Sequence, residues 1–282
     1  MRCLMTILFA FFMAIIAYAQ PADKVLARVK YNFSHVRDTN SRNNPYTETM
    51  ILMIGKNASA YTSLDRLERE LDLPKAPSAP FKPVNLLDQY FFAKENKLIT
   101  RHRFSDAYYL IEEPQEKIKW TLKKDTLNIN GISCKQATTS FKGRKWTAWY
   151  APDLPFQSGP WKLNSLPGLI IQAQDEQKEV IFEFAGIDDL KSENLDNEQL
   201  ALEKAYQKTF FFKPEITLQT DAKKTTRAEF DKVYQIYLKD PIGFAAAQTG
   251  TPRNRIFMGR STTGVSHDIT NNPIELQEKN NR

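Results

Sequence analysis

Cysteine is nearly missing from this sequence. Only Cys3 and Cys134 occur in 282 residues. Cys3 lies in an N-terminal leader, so Cys134 is left alone and no intramolecular disulfide can form. Histidine is almost as scarce: His35, His102 and His267 are widely separated and show no His-x-x-x-His or His-x-His spacing. A zinc or copper site would need these rings to converge over long range with Cys134 and a carboxylate, and no metal is expected. The Gly-x-Ser-x-Gly elbow of serine hydrolases is absent, as are the phosphate-binding and dinucleotide-binding glycine fingerprints, so no cofactor is expected. No apolar run after the leader is long enough to span a bilayer as a helix, so no transmembrane segment is expected in the remainder. The formal net charge is +6, one unit of it from Arg2. That surplus is spread along the chain, and its densest cluster is only Arg253, Arg255 and Arg260, so nucleic acid is not an expected partner.

What is present begins with the leader. Arg2 precedes an apolar block from Leu4 to Ala17, then "AYA" precedes Gln20. This is the order of a secretory signal peptide, with cleavage expected after Ala19 and delivery to the periplasm or the exterior. Residues 20–242 are then expected to form a single β-rich domain, and 243–282 a loosely ordered tail rich in Gly, Asn and Thr. With 41% hydrophobic residues there is ample material for a core and no need of disulfides.

The expected fold is mainly β, of α+β type. Short alternating runs separated by turn residues describe a curved antiparallel sheet or partial barrel built from hairpins, with a few helices, two of them near the C-terminus. Val25–Phe33 reads as the first strand. Thr47–Ile54 and Ala58–Thr62 read as a hairpin closed by Gly55-Lys56-Asn57. Ser63 is placed to cap a short helix through Leu71. Four prolines at 74, 77, 80 and 83 make Leu73–Pro83 an extended connector. Strands resume at Gln89–Ala93, Leu98–Phe104 and Ala107–Glu112, followed by separate runs at Lys117–Leu122 and Thr126–Asn130. Asn197–Phe212 and Thr226–Lys239 have helical periodicity, ended by Pro214 and Pro241.

The clearest hairpin is Cys134–Phe141 with Lys145–Ala151. Its second arm places Trp146, Ala148 and Tyr150 on one face and Thr147 and Trp149 on the other. Aromatic bulk on both faces implies a strand covered on both sides or lining a cavity. Cys134 is expected to be buried in the first arm. A proline-rich loop then leads to "SLPGLI", where Pro167 and Gly168 carry the dihedral preferences of a type II turn that delivers the loop into a second hairpin.

The stretch Gly131–Ile187 resembles the signature region of the GLPGLI family, exported proteins typical of Bacteroidetes. The likeness rests on the Cys134 hairpin, Thr147-Ala148-Trp149, Gly159-Pro160-Trp161 and the Pro167–Ile170 turn, in that order. Ser165 stands where the family motif has its first glycine, so the position either has no need of positive φ or carries a strain of roughly 1 kcal/mol. The resemblance implies an envelope location, a β-rich fold and a role near outer-membrane transport systems. It names no reaction.

The expected function is therefore non-catalytic binding of an apolar ligand, a peptide or an outer-membrane partner. The candidate site comprises Trp146, Trp149, Tyr150, Trp161, Leu166, Pro167, Gly168 and Leu169. The alternatives are a periplasmic hydrolase of peptidase or esterase type, with Ser158 as the nearest candidate nucleophile, and a thiol or histidine metal-binding protein using Cys134. The carboxylate pairs Glu112-Glu113 and Asp188-Asp189 are adjacent in sequence, so in strands they point to opposite faces.

Overall fold

The structure is a computed structural model that describes residues 23–71, 84–104, 107–188, 204–205, 211–256 and 270–276. The leader, the proline-rich connector and nearly all of the expected Asn197–Phe212 helix fall outside these residues.

One twelve-stranded sheet organises the chain, and it does not close into a barrel. In chain order its strands are β2 (Ala27–His35), β3 (Tyr46–Ile54), β4 (Ala58–Ser63), β5 (Leu87–Phe92), β6 (Lys97–Phe104), β7 (Ala107–Pro114), β8 (Thr121–Ile129), β9 (Ile132–Phe141), β10 (Arg144–Ala151), β11 (Leu169–Asp175), β12 (Val180–Asp188) and β14 (Lys223–Thr225). The short β1 (Asp23–Lys24) and β13 (Glu215–Ile216) pair with each other separately. Laid side by side, the large sheet runs β14-β7-β6-β5-β4-β3-β2-β12-β11-β10-β9-β8. Every pairing is antiparallel except β14 with β7. Sequential hairpins therefore build two arms, and the pairing of β2 with β12, more than a hundred residues apart, joins them.

β3 shows why the sheet needs cover on both sides. Its end reads Met50-Ile51-Leu52-Met53-Ile54, all fully buried, the unbroken apolar run of a strand packed on both faces. Met50, Leu52 and Ile54 belong to a core with Val29, Tyr31, Phe33 and the side chains of β9–β12. We call this the inner face. Ile51 and Met53 point outward and pack with Leu64 and Leu67 of helix α1 (Leu64–Glu70). Burying each such side chain contributes about 1.5–3 kcal/mol. α1 starts where expected, because the Ser63 hydroxyl accepts from Arg66 N at 2.9 Å.

Two segments cover the inner face. The loop between β10 and β11 folds across it and buries Trp161, Leu163 and Leu166. Helix α2 (Arg227–Lys239), opened by a Thr226–Glu229 capping box, lays Phe230 and Tyr237 on Phe104, Tyr109 and Ile111. Asp240 then caps a helix α3 (Pro241–Thr249), its carboxylate accepting from Gly243 N and pairing with Arg253. Residues 243–249 of α3 and residues 271–276, whose Asn272 is buried, lie within the stretch 243–282 expected to be loosely ordered. The backbone groups of Asn272 and the side chains of β2 and β10 hold it there.

Two local expectations change. The runs Lys117–Leu122 and Thr126–Asn130 are not separate strands: 121–129 forms a single strand, β8, with a register shift between Leu122 and Thr126. The turn at Pro167 is tighter than type II, since Gly168 N donates to Leu166 O at 2.9 Å across one residue. Gly168 is required by close approach as well as dihedral. Its φ is 152°, and a Cβ there would lie 2.2 Å from Ala151 O. The left-handed residue is instead Ser165, at φ 70°. Serine therefore does occupy a position that favours glycine, and its hydroxyl donates to Asn164 Oδ1.

Candidate functional site

The hairpin proposed from sequence is mostly core. Trp146 is 1% exposed, its indole Nε1 donating to Phe141 O at 3.0 Å. Tyr150, Leu166, Gly168 and Leu169 are buried, Trp149 is half-buried and Pro167 is exposed. The two faces of β10 are thus unequal: Trp146, Ala148 and Tyr150 are covered, while Thr147 and Trp149 keep partial access to solvent. Of the eight candidate residues, Trp161 borders the inner cavity described next. Its ring lies 5.7 Å from that of Trp146, so it connects the packed hairpin to the open space beyond.

That space is a cavity of about 330 Å³ on the inner face, beside α2. β2 contributes Phe33 and His35, β3 Met50, β4 Tyr61 and β12 Phe182, with Trp161 entering from the loop. Phe33 and Phe182 stack at 5.0 Å and form an apolar floor. The alternation of β2 explains the convergence: Tyr31, Phe33 and His35 share one face, and pairing with β3 and β12 sets Phe33 near Met50 and directly opposite Phe182. The remaining wall comes from Arg37, Val84–Leu87, His102, Tyr234, Thr270, Pro273 and Ile274. A volume of this size lies at the lower end of the range for small-molecule sites.

Polar groups are few and specifically held. His35 Nε2 donates to Asn272 O at 2.8 Å, which places its proton on that nitrogen. Burial, assisted by the charges of Arg37 and Arg144, pushes its pKa down to about 4. His102 is lowered to about 4 chiefly by burial, its ring 4.8 Å from Phe230. Both rings are neutral at pH 7. The Arg37 guanidinium stacks on the Tyr46 ring at 3.4 Å. Behind it, Glu48 accepts from Tyr46 Oη at 2.6 Å and from the Ser63 hydroxyl and Asn85 N. Burial raises the Glu48 pKa against the effect of these donors. The hydroxyl of Tyr61 is buried with no hydrogen-bond partner among the described residues.

The rim is tied down by a saturated arginine. Arg144 Nη1 donates to Asp175 at 2.7 Å and Glu179 at 3.2 Å, Nη2 to Asn272 and Pro273 O, and Nε to Ile274 O. Burial opposes ionisation of Glu179, but donors from Arg42, Arg144 and Asn272 outweigh it and hold its pKa below the usual range. β10, β11 and segment 271–276 are thereby joined through one side chain.

The residues named for the catalytic and metal-binding alternatives are placed as follows among the described residues. Cys134 is fully buried and burial raises its thiol to about 11, the opposite of an activated nucleophile. Among the described residues no group of three His, Cys, Asp or Glu side chains could hold a metal ion. Glu112 pairs with Lys97 and Glu113 with Arg227, while Asp188 pairs with Lys30. Ser158 lines a second cavity, of about 480 Å³, together with Leu26, Gly55–Ser59 and Phe91.

Residues 92–172 match the family Porph_ging, described as a protein of unknown function. The match covers less than half of the chain and contains β6–β10 with the start of β11. Two solved structures of PNGF-II, in P21 and C2 space groups, are similar at 15% and 13% identity, each with a TM-score of 0.49. They cover 73% of this chain, which spans only 32% of theirs. No curated protein matches the chain.

None of the cavity residues Phe33, His35, Arg37, Met50, Tyr61 and Phe182 was identified from sequence as a candidate for the site. The available signal was the alternation Tyr31-Phe33-His35, and its partner strand lies too far along the chain to be recognised by pattern. Among the described residues no helix is long and apolar enough to cross a membrane.

Proposed function

We propose that this chain is an exported, GLPGLI-type envelope protein that binds a small, predominantly apolar ligand on the inner face of its sheet. One observation carries the reading: an aromatic-floored cavity of about 330 Å³ whose lining includes a buried tyrosine hydroxyl with no partner among the described residues. Empty apolar space forfeits dispersion contacts, and an unpaired buried hydroxyl costs about 1–3 kcal/mol. A ligand that fills the floor and bonds Tyr61 recovers both. The leader, Leu4–Ala17 followed by "AYA", supports export, and the Cys134 hairpin with "SLPGLI" supports the family. An apolar ligand is favoured over a peptide or a protein partner because the cavity is compact and walled by side chains rather than bordered by a free strand edge.

The test is native mass spectrometry of the protein isolated gently from the envelope fraction, alongside Met50→Trp, which fills the cavity. The expected result is a discrete small-molecule adduct on the wild type that is lost in the variant. The same mass in both, or none in either, contradicts the reading. Export is checked by the N-terminus of the isolated protein, expected at Gln20.

A further inference from the structure

The cavity has one feature that an apolar ligand alone would leave unused. His35 and His102 are neutral at pH 7, so among the described residues Arg37 is the one permanently charged side chain in the lining. Stacking at 3.4 Å from the centre of the Tyr46 ring requires the guanidinium to lie nearly parallel to it. Its N–H donors lie in that plane and therefore point sideways from the ring rather than into it. Among the described residues no carboxylate lies within ion-pair distance of Arg37, and Glu48, bonded to the Tyr46 hydroxyl, is occupied by Ser63 and Asn85 as well.

Resting on the reading that this cavity holds a ligand, we propose that the occupant is a compact apolar carboxylate. Its head lies against Arg37 and its body lies among Phe33, Met50, Phe182 and Trp161. A planar fork of donors matches the two oxygens of a carboxylate, and charge-assisted bonds of this kind are about twice as strong as neutral ones. A phosphate would bring a second negative charge with only one cation among the described residues to meet it. The volume of about 330 Å³ accommodates on the order of ten water-sized groups, which fits an aromatic or branched acid of short reach. Tyr61 supplies a second donor.

Calorimetric titration of the full chain with 4-phenylbutyrate and with its neutral counterpart 4-phenylbutanol tests the inference. The wild type is expected to bind the acid at least tenfold more tightly than the alcohol. Arg37→Gln should bring the two to parity while leaving alcohol binding in place, and Arg37→Lys should keep part of the preference. A melting curve for each variant confirms that it is folded, and alcohol binding by Arg37→Gln shows that its cavity is intact. Equal binding of acid and alcohol by the wild type, or an undiminished preference in Arg37→Gln, overturns the carboxylate inference and leaves the apolar cavity standing. Failure of both probes to bind at millimolar concentration overturns the inference as well, and the native mass spectrum then decides separately whether the cavity is occupied by something else.

Discussion

The β9–β11 region, which carries the signature, and the β2–β3–β12 region, which carries the cavity, use similar residues to opposite ends. Around the signature hairpin, Trp146, Tyr150, Leu166 and Leu169 are buried in one packed core. Around β2, the aromatic residues Phe33 and Phe182 stack with each other and leave an opening above them. A recognisable motif here marks the place where packing is most demanding, because a glycine pressed against a carbonyl and a loop folded over a sheet tolerate few substitutions. The space for a ligand arises beside it, where β2 and β3, outside the signature stretch, meet Phe182 and Trp161 from within it.

The sharpest way to break this contrast is at the side chain joining the two regions. Arg144→Met leaves Asp175 buried without its cation, and removal of one partner from such a pair costs about 3–5 kcal/mol. The variant should lose that much in urea denaturation. A loss below about 1 kcal/mol would show that the network does not bind the regions together. Gly168→Ala acts inside the packed region alone. The Cβ meets Ala151 O at 2.2 Å, and the combined clash and dihedral strain should cost about 3 kcal/mol. A melt within 1 °C of the wild type would contradict the tight turn.

Acid distinguishes the cavity region. His35 has a folded pKa of about 4 against an ordinary value of 6.5. Between these values the unfolded chain binds a proton that the folded chain refuses. The stabilisation is therefore complete above pH 6.5 and is lost as pH falls towards 4, by on the order of 2 kcal/mol between pH 6.5 and 5. Comparison of the wild type with His35→Asn by urea denaturation at pH 7 and pH 5 isolates this contribution. An equal pH dependence in both would rule it out. The smallest effect belongs to the motif itself. Ser165→Gly relieves a left-handed serine at φ 70° but gives up its bond to Asn164, so it should raise stability by at most about 1 kcal/mol. A clear destabilisation would mean that the serine hydroxyl, and not the backbone, governs that position.

The sequence was most legible where structure is local. Ser63 and Thr226 cap their helices because capping depends on residues three positions apart. The β3–β4 and β9–β10 hairpins follow from alternation and short turns. The type II turn was misread because Pro167-Gly168 has that preference in isolation, whereas here contact with Ala151 tightens it. The candidate site was legible only at its margin, through Trp161. The cavity depends on β2 pairing with β12 and on Asn272 reaching His35, contacts separated by more than a hundred residues that leave no periodic trace.

The most direct measurement of the central claim uses two methionines on opposite faces of one strand. Met50 lines the cavity, and Met53 packs on the outer face with α1. In protein carrying ¹³C-methyl methionine, addition of 4-phenylbutanol should shift the Met50 methyl resonance by the ring current of the probe and leave Met53 in place. A stationary Met50, or equal movement of both, would contradict a ligand-binding cavity on the inner face.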